Sequence, residues 1–400
     1  MTPTQLAYRR SLRLIKLEIA LTAALFSMPI MNVFYAKEIG MDYAQVGIAQ
    51  AVFTLALIAM NIPTGWIADR FRYGRKGCNI AGDVVAAIGF GYYALADTFV
   101  DIIVAEMLVG IGLAFSGGAD AALIRAYCIG LGLDQTRVRA GIHALRTGAE
   151  MGAVIIGGII GAHSLRLAIA LGVATYAAGA VISMFLIEAG EHHDGKDVHG
   201  QQQHPLRGMW GTVKYTLHGH KQLAWSVAAY AFGREMTHPV VWVLTPLMLV
   251  AGIPPALLGV GWAANLFCAL LGSLAARRWA PSLRESQRLS VGLIVFVAGA
   301  SVLSVHVSLG TIVLFGCFGL TRGWMAPIIE PIVQRHAPDA LQSSVVSVAM
   351  TTGNVLYMIL VVSFGFLADI DERLSVAASL VLFAPALLLV IAKLRVYERR

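Results

Sequence analysis

The sequence predicts an all-α membrane protein in which twelve transmembrane helices form two pseudo-symmetric six-helix bundles. The first observation is composition: 58% of the residues are hydrophobic and 13% are charged, whereas about a quarter are charged in an ordinary soluble domain. The second is the presence of uncharged runs, such as 167–187 and 374–392, that match the roughly 20 residues of a membrane-crossing helix. The third is an internal repeat. These features exclude an ordinary soluble domain.

Apolar segments that lie between clusters of charged or turn-forming residues predict the individual helices. The first six are expected near 14–36, 43–67, 78–97, 99–127, 138–162 and 165–188. The second six are expected near 221–251, 254–277, 287–306, 308–335, 341–368 and 371–393. An even number of crossings places both termini on the same side of the membrane.

Basic residues are concentrated on one side of this predicted topology. Twenty-four of the thirty Lys and Arg residues lie on the side of the termini, and the opposite side carries Lys37, Arg166 and Arg373. Because basic loops stay in the cytoplasm, we expect cytoplasmic termini in a multi-pass protein of the plasma membrane, here a bacterial inner membrane. The net charge of +7 follows from this asymmetry, so we expect no nucleic-acid partner.

Short sequence matches recur at an offset of about 207 residues and indicate two related halves. The matched pairs are 65–70 with 272–277, Asp120 and Arg125 with Glu330 and Arg335, and 165–167 with 372–374. They predict an N-terminal six-helix bundle over 1–188, a cytoplasmic His-rich linker over 189–220 and a C-terminal six-helix bundle over 221–400. Internal repeats of this kind are typical of secondary transporters, whose substrate site lies near the midplane between the repeats.

The loop after the second predicted helix carries a recognisable pattern, Gly65-x-x-x-Asp69-Arg70 followed by Gly74-Arg75-Lys76. It resembles the signature loop between helices 2 and 3 of the major facilitator superfamily, although three residues rather than one precede the second glycine. With the two halves and the linker, the resemblance extends over essentially the whole chain. It implies a cytoplasmic gate made of Gly65, Asp69, Arg70, Gly74, Arg75 and Lys76, together with Asp120 and Glu330.

Ionisable side chains within the predicted helices are the candidate functional residues, because a charge at bilayer depth costs at least ~2.5–3.5 kcal/mol. The deeper ones are Glu106 and Asp120 on helix 4, Arg146 and Glu150 on helix 5, Arg234, Glu235 and His238 on helix 7, and Arg322 and Glu330 on helix 10. The resemblance implies that helices 4, 5, 7 and 10 line the transport path, which agrees with this distribution. Asp83, on helix 3, is interpreted as a structural partner of Arg75 or Lys76.

The charged candidates suggest two chemical roles. Arg146, Arg234 and Arg322 suit a substrate with a carboxylate or phosphate, because a guanidinium binds these groups through two hydrogen bonds. Five acids accompany three arginines, so some carboxylate is expected to lack a partner and to carry a coupling proton. Glu150 and Glu235 are the first candidates and Glu106 is the third. The alternative is that all these groups form ion pairs that lock the helices together.

Polar and aromatic residues of the same helices complete the predicted substrate site. They are His238, Asn32, Tyr35, Tyr230, Trp324, Asn354 and Tyr357. For each of them, a hydrogen bond between packed helices is the alternative role.

These features favour a secondary active transporter that moves a small organic solute by alternating access and is coupled to protons. Export of an amphiphilic metabolite or drug is favoured by the family resemblance, whereas uptake of an anionic nutrient or siderophore-like compound is favoured by the arginines. A non-transporting membrane binding or assembly protein is the third possibility. The sequence has no phosphate-binding glycine loop or hydrolase motif. We therefore expect no enzyme, cofactor or metal, and a monomer whose partners are the solute, protons and the lipid bilayer. The linker histidines are interpreted as part of a solvated tether.

Overall fold

The computed structural model describes residues 2–71, 74–189, 214, 216, 221–338 and 342–398. Every regular element in these ranges is helical, as the composition predicts. The predicted His-rich linker lies outside the described residues, apart from Ala189, Lys214 and Thr216.

Fourteen α-helices make up the described chain. The first seven are α1 Pro3–Thr22, α2 Met31–Phe34, α3 Tyr43–Arg70, α4 Gly74–Leu95, α5 Phe99–Leu131, α6 Gln135–His163 and α7 Leu165–Met184. The other seven are α8 Lys221–Glu235, α9 Val241–Val250, α10 Leu258–Trp279, α11 Glu285–Leu303, α12 Phe315–His336, α13 Gln342–Ala368 and α14 Glu372–Glu398. A π-helical turn, Tyr35–Ile39, continues α2.

Ten of these helices have the length and apolar composition to cross a membrane, counted within the described ranges. They correspond to the predicted helices 2 to 6 and 8 to 12. The remaining two predicted helices differ from expectation, because neither is continuous.

The predicted helix 14–36 is interrupted, since α1 ends at Thr22 and α2 begins at Met31. The predicted helix 221–251 is likewise interrupted between Glu235 and Val241. Each interruption contains a proline, Pro29 or Pro239. Proline lacks the amide hydrogen that a helix needs and disfavours helical backbone in the preceding residue. The prediction of two uninterrupted helices was therefore wrong.

The chain forms two compact units. The first comprises Met1–Met41, Ala49–Gln202 and Pro255–Trp262, and the second comprises Asp42–Ile48, Gln203–Pro254 and Ala263–Arg400. In the second unit, the Asp369 carboxylate accepts hydrogen bonds from the backbone amides of Tyr43 at 2.6 Å and Ala44 at 3.0 Å. These amides lie in the first turn of α3 and have no acceptor within that helix. Asp369, which directly follows α13, therefore caps the N-terminus of α3.

Equivalent hydrogen bonds occur in the two units, between residues that correspond in the sequence repeat. In the first unit, Thr64 Oγ1 donates to the Ala114 carbonyl at 3.0 Å, and the Lys76 amide donates to Glu188 at 2.9 Å. In the second unit, Ser273 Oγ donates to the Gly323 carbonyl at 3.0 Å, and the Ser286 amide donates to Glu398 at 2.8 Å. The partners are separated by 50 and 112 residues in both units. The repeat therefore specifies packing contacts as well as sequence.

The interruption after α1 packs against a glycine face of α6. A Cβ atom added to Gly157 would lie 1.8 Å from the carbonyl oxygen of Phe26, and one added to Gly161 would lie 2.7 Å from a methyl carbon of Ile30. Only a residue without a Cβ allows the backbone of residue 26 to approach this closely. The small-residue face of α6 thus holds the broken helix in place.

We expect Gly157→Ala to lower the free energy of unfolding by about 1–3 kcal/mol, the usual cost of overpacking. Gly152→Ala, on the same helix, is the matched control, because a Cβ there meets nothing within 4 Å. The control should be neutral or gain up to ~1 kcal/mol from the better helix propensity of alanine. Denaturant unfolding of both variants in detergent measures the difference, and equal stabilities would contradict this packing.

Candidate functional site

The second unit contains a buried carboxylate at the interruption between α8 and α9. Glu235 is the last residue of α8 and its side chain is completely buried. Arg234 Nε lies 3.2 Å from Glu235 Oε1, and His238 Nδ1 lies 3.0 Å from Oε2. Oε1 accepts no hydrogen bond from the described groups, so its contact with Arg234 is an ion pair without hydrogen-bond geometry. Three predicted site residues thus meet because the helix ends here.

A second helix completes this group of side chains. Asn354 of α13 accepts a hydrogen bond from Arg234 Nη1 at 2.9 Å, across 120 residues of sequence. Tyr357, one turn further along α13, has its ring centroid 5.3 Å from that of His238 with the two rings tilted by 53°, and it accepts a hydrogen bond from Trp242 at 2.8 Å. The guanidinium therefore has both neutral and anionic neighbours. Its side chain keeps 29% of its surface exposed, so a further anion can reach it.

Gly353 belongs to the same group, although the sequence did not single it out. A Cβ atom at this position would lie 3.3 Å from Glu235 Oε1, 3.5 Å from Arg234 Nη1 and 3.8 Å from the ring of Tyr230. Tyr230, another predicted site residue, also lies within hydrogen-bonding range of Arg234. The absence of a side chain at Gly353 leaves space beside all three groups. We call Tyr230, Arg234, Glu235, His238, Gly353, Asn354 and Tyr357 the Glu235 site.

Arg322 and Trp324 of α12 have different surroundings from each other. Arg322 lines a small cleft of the second unit with Thr237, Asn265 and Phe318, next to the interruption that follows Glu235. The Trp324 indole donates to the backbone carbonyl of Arg288 at 2.8 Å and the residue is 6% exposed. Trp324 thus makes the packing contact that was the alternative to a substrate contact.

The first unit contains a carboxylate in a neutral setting. Glu106 of α5 is 3% exposed and accepts hydrogen bonds from Tyr35 Oη at 3.1 Å and from the Gln50 side-chain amide. Tyr93 of α4 lies 3.5 Å from the Tyr35 hydroxyl, oxygen to oxygen, and adjoins the same carboxylate. Tyr35 reaches Glu106 from the π-helical turn that follows the interrupted first helix. The sequence indicated Glu106 and Tyr35 but not Tyr93, whose position on helix 3 gave no signal.

The other candidate residues of the first unit lie on α2, α5 and α6. Asn32 is 7% exposed on α2. On α6, Arg146 is exposed and Glu150 is half-buried one turn later. Asp120 of α5 lies within electrostatic range of Arg146 and Asp83.

The predicted gate loop is described in part. Arg75 donates to the Ala189 carbonyl at 2.9 Å, at the end of the segment that follows α7. A Cβ at Gly74 would lie 2.5 Å from the Ala68 carbonyl oxygen, so this signature glycine is needed where α3 turns into α4. Gly65 faces open space, and the side chains of Asp69 and Arg70 lie outside the described residues.

The corresponding charged groups of the second unit lie on α12 and α11. Glu330 is exposed and accepts a hydrogen bond from Gln334 at 2.9 Å. Arg335 forms an ion pair with Glu285 at 2.7 Å. The gate role predicted for Glu330 and the signature loop stays a prediction.

Comparison with known proteins identifies the fold. A family model described as Major Facilitator Superfamily matches residues 19–362. Comparison with curated protein sequences gives no match.

Solved transporter structures share this fold over almost the whole chain. A mutant of the nucleoside transporter NupG has a TM-score of 0.79 at 13% identity, over 96% of this chain and 98% of that chain. A bacterial homologue of the human lysosomal transporter Spinster, inward-facing and unoccupied, has a TM-score of 0.72 at 14% identity, over 98% of each chain. A POT family transporter in complex with a thioalcohol-conjugated peptide has a TM-score of 0.72 at 14% identity, over 96% of this chain and 95% of that chain.

The Glu106 contacts generate a stability prediction. We expect Tyr35→Phe to lower the free energy of unfolding by about 1.5–3 kcal/mol, the range for hydrogen bonds to charged groups. Tyr92→Phe is the matched control, since Tyr92 lies on the neighbouring α4 and is 46% exposed. Denaturant unfolding in detergent should separate the two variants; a Tyr35→Phe protein as stable as the control would show that Glu106 does not depend on this donor.

Proposed function

Because the chain belongs to the major facilitator superfamily, we propose that it is a secondary active transporter that moves a small organic solute by alternating access and is driven by protons. Family membership supports transport, and the Glu235 site supplies the chemistry. The single observation that carries the proposal is a fully buried carboxylate, Glu235, that contacts a partly exposed arginine and a histidine.

The proposed topology has twelve crossings with both termini in the cytoplasm of a bacterial inner membrane. Ten crossings correspond to the ten long apolar helices. The other two correspond to α1 with α2 and to α8 with α9, each pair joined through a proline-containing interruption. Discontinuous helices of this kind form substrate and ion sites in transporters, which supports counting each pair as one crossing.

The proposed solute carries an acidic group that binds Arg234. A guanidinium prefers carboxylates and phosphates because it can donate two parallel hydrogen bonds. Asn354 orients Arg234, and the rings of Tyr230, His238 and Tyr357 supply polar and aromatic surface for the rest of the solute. Arg322, Arg146, Asn32 and Tyr35 remain candidates for further contacts.

Glu235 couples the solute to protons in this proposal. While ionised, Glu235 neutralises Arg234 and competes with an anionic solute for it. A proton on Glu235 removes this competitor and leaves Arg234 free to bind the solute's acid. Solute and proton therefore bind together at the Glu235 site, because each favours the binding of the other. Glu106 and Glu150 are the other candidates for the coupling proton.

Two directions of transport are consistent with this chemistry. Export of an amphiphilic metabolite or drug is favoured by the family resemblance. Uptake of an anionic nutrient or siderophore-like compound is favoured by the partly exposed Arg234. A non-transporting membrane binding protein would bind the solute in the same way but would give no flux.

The first experiment identifies the solute. We expect that a thermal-shift screen of the purified protein against metabolites, drugs and siderophores will yield ligands with an acidic group, because a ligand that binds the folded state raises its apparent stability. Arg234→Lys keeps the charge but loses the paired donors. We expect it to weaken binding about tenfold or more, as for the loss of one hydrogen bond to a charged group. Arg278→Lys, at an exposed position on α10, is the control and should bind like the wild type.

The second experiment tests coupling in proteoliposomes. With the ligand from the screen, an imposed pH gradient should drive wild-type uptake or export. Glu235→Gln should lose the response to the gradient while retaining binding, because glutamine is uncharged and gains no proton. Comparison with Glu150→Gln and Glu106→Gln assigns the coupling residue. Ligand binding without flux under any gradient would favour the binding protein over the transporter.

A further inference from the structure

Three carboxylates lie together in the first unit, away from the contacts of Glu106. Glu18 of α1 and Asp83 of α4 are each 1% exposed. Asp120 of α5 is within electrostatic range of both. The sequence had suggested Arg75 or Lys76 as the partner of Asp83, but Asp83 instead accepts a hydrogen bond from Ser183 at 3.4 Å. Glu18 was not among the sequence candidates. We call Glu18, Asp83 and Asp120 the carboxylate triad.

A buried amide lies between the members of the triad. Asn79 of α4 is completely buried and lies within hydrogen-bonding range of both Glu18 and Asp120. Its Nδ2 donates to Ser183 Oγ at 3.2 Å, and Ser183 in turn donates to Asp83. Asn79 and Ser183 thus lie between all three acids as one group of buried polar side chains.

Several oxygen atoms of this group accept no hydrogen bond within the described structure. One is Asn79 Oδ1, which belongs to a neutral side chain inside the group. The others are Glu18 Oε2, Asp83 Oδ1 and Asp120 Oδ1. A buried acceptor without a donor destabilises the folded state, so four such atoms in one place call for a donor that the side chains themselves do not supply.

The groups that face the triad balance little of its charge. Arg146 of α6 lies within range of Asp120 and is itself exposed. Tyr176 of α7 faces Glu18 and Asp83, Tyr127 of α5 faces Asp120, and Thr22 lies 3.5 Å from Glu18. In the described part of the chain, one guanidinium group therefore lies near three carboxylates. Like charges held together in a buried site cannot all remain ionised without a large cost.

We propose that Glu18, Asp83 and Asp120 form a proton-binding site that carries a coupling proton separate from the Glu235 site. A bound proton removes one negative charge and provides the O–H donor that the unpartnered oxygens need. Within the described residues, no group of acids is arranged to hold a metal ion; these three lie around Asn79 and Ser183, which suits a proton held by hydrogen bonds. The coupling role rests on the proposed transport function, whereas proton binding itself does not.

Infrared difference spectroscopy of the purified wild-type protein tests proton binding without any solute. Between alkaline buffer and buffer at about pH 6, where exposed Asp and Glu with ordinary pKa values of about 4 stay ionised, the spectrum should gain C=O stretching intensity from protonated buried carboxyl groups. Asp83→Asn with Asp120→Asn should lose a component of this band. Asp97→Asn, at a residue whose side chain is 78% exposed, is the matched control and should keep the wild-type band. A double variant with the complete wild-type band would overturn the proposal.

Two further measurements cover other outcomes. Should the double variant fail to fold, Asn79→Ala keeps all three acids but removes the amide between them, so the band should remain and shift in frequency; an unshifted band refutes this arrangement. Replacing choline chloride by sodium chloride at constant pH should leave the wild-type band unchanged, and its loss would assign the site to sodium instead of a proton. Because none of these spectra requires flux, failure of the transport proposal would not alter them.

Discussion

Charged side chains within helices that are apolar enough to cross lipid must find their partners inside the protein. The rest of this structure depends on that requirement. Glu106 obtains neutral donors from Tyr35 and Gln50, and Glu235 obtains a guanidinium and an imidazole. Neither carboxylate could find its partners within its own helix, because the backbone amides of a continuous helix already donate to carbonyl groups of that helix. The polar groups therefore fix which helices pack together within each unit.

Interrupted helices are the means by which these partners are supplied. The chain leaves helical geometry at 23–30 and at 236–240, and each segment places polar residues beside a buried carboxylate. Tyr35 follows the first interruption and His238 lies in the second. An interruption in a membrane-crossing helix is tolerated where other parts of the protein cover the backbone groups that no longer form helical hydrogen bonds. The glycine face of α6 provides such cover for the first one.

The two buried regions of the first unit and the Glu235 site of the second unit differ in charge balance. The Glu235 site combines a carboxylate with an arginine, which suits exchange of partners with an anionic solute. Glu106 accepts only neutral donors among its described contacts, and the carboxylate triad is richest in unbalanced negative charge. Acids with different surroundings respond differently to pH, so the proposed solute-binding and proton-binding roles fall on different groups of residues.

The sequence by itself determined the membrane class, the helical architecture, the internal repeat and the family. These follow from composition, from the length of the apolar segments and from short motifs, all of which can be read without knowledge of tertiary contacts. It also indicated most members of the Glu235 site, because ionisable residues are rare in apolar helices. It did not locate the two helix breaks: Pro327 and Pro331 lie within the continuous α12, whereas Pro29 and Pro239 lie where helices break.

Only the tertiary structure decided which side chains meet. Arg234 and Asn354 are 120 residues apart, and Asp83 and Ser183 are 100 apart. Their contacts depend on how each helix is rotated against its neighbours, which hydropathy does not specify where several helix faces are apolar. For the same reason Glu18 was overlooked, although it lies within electrostatic range of Asp83 and Asp120.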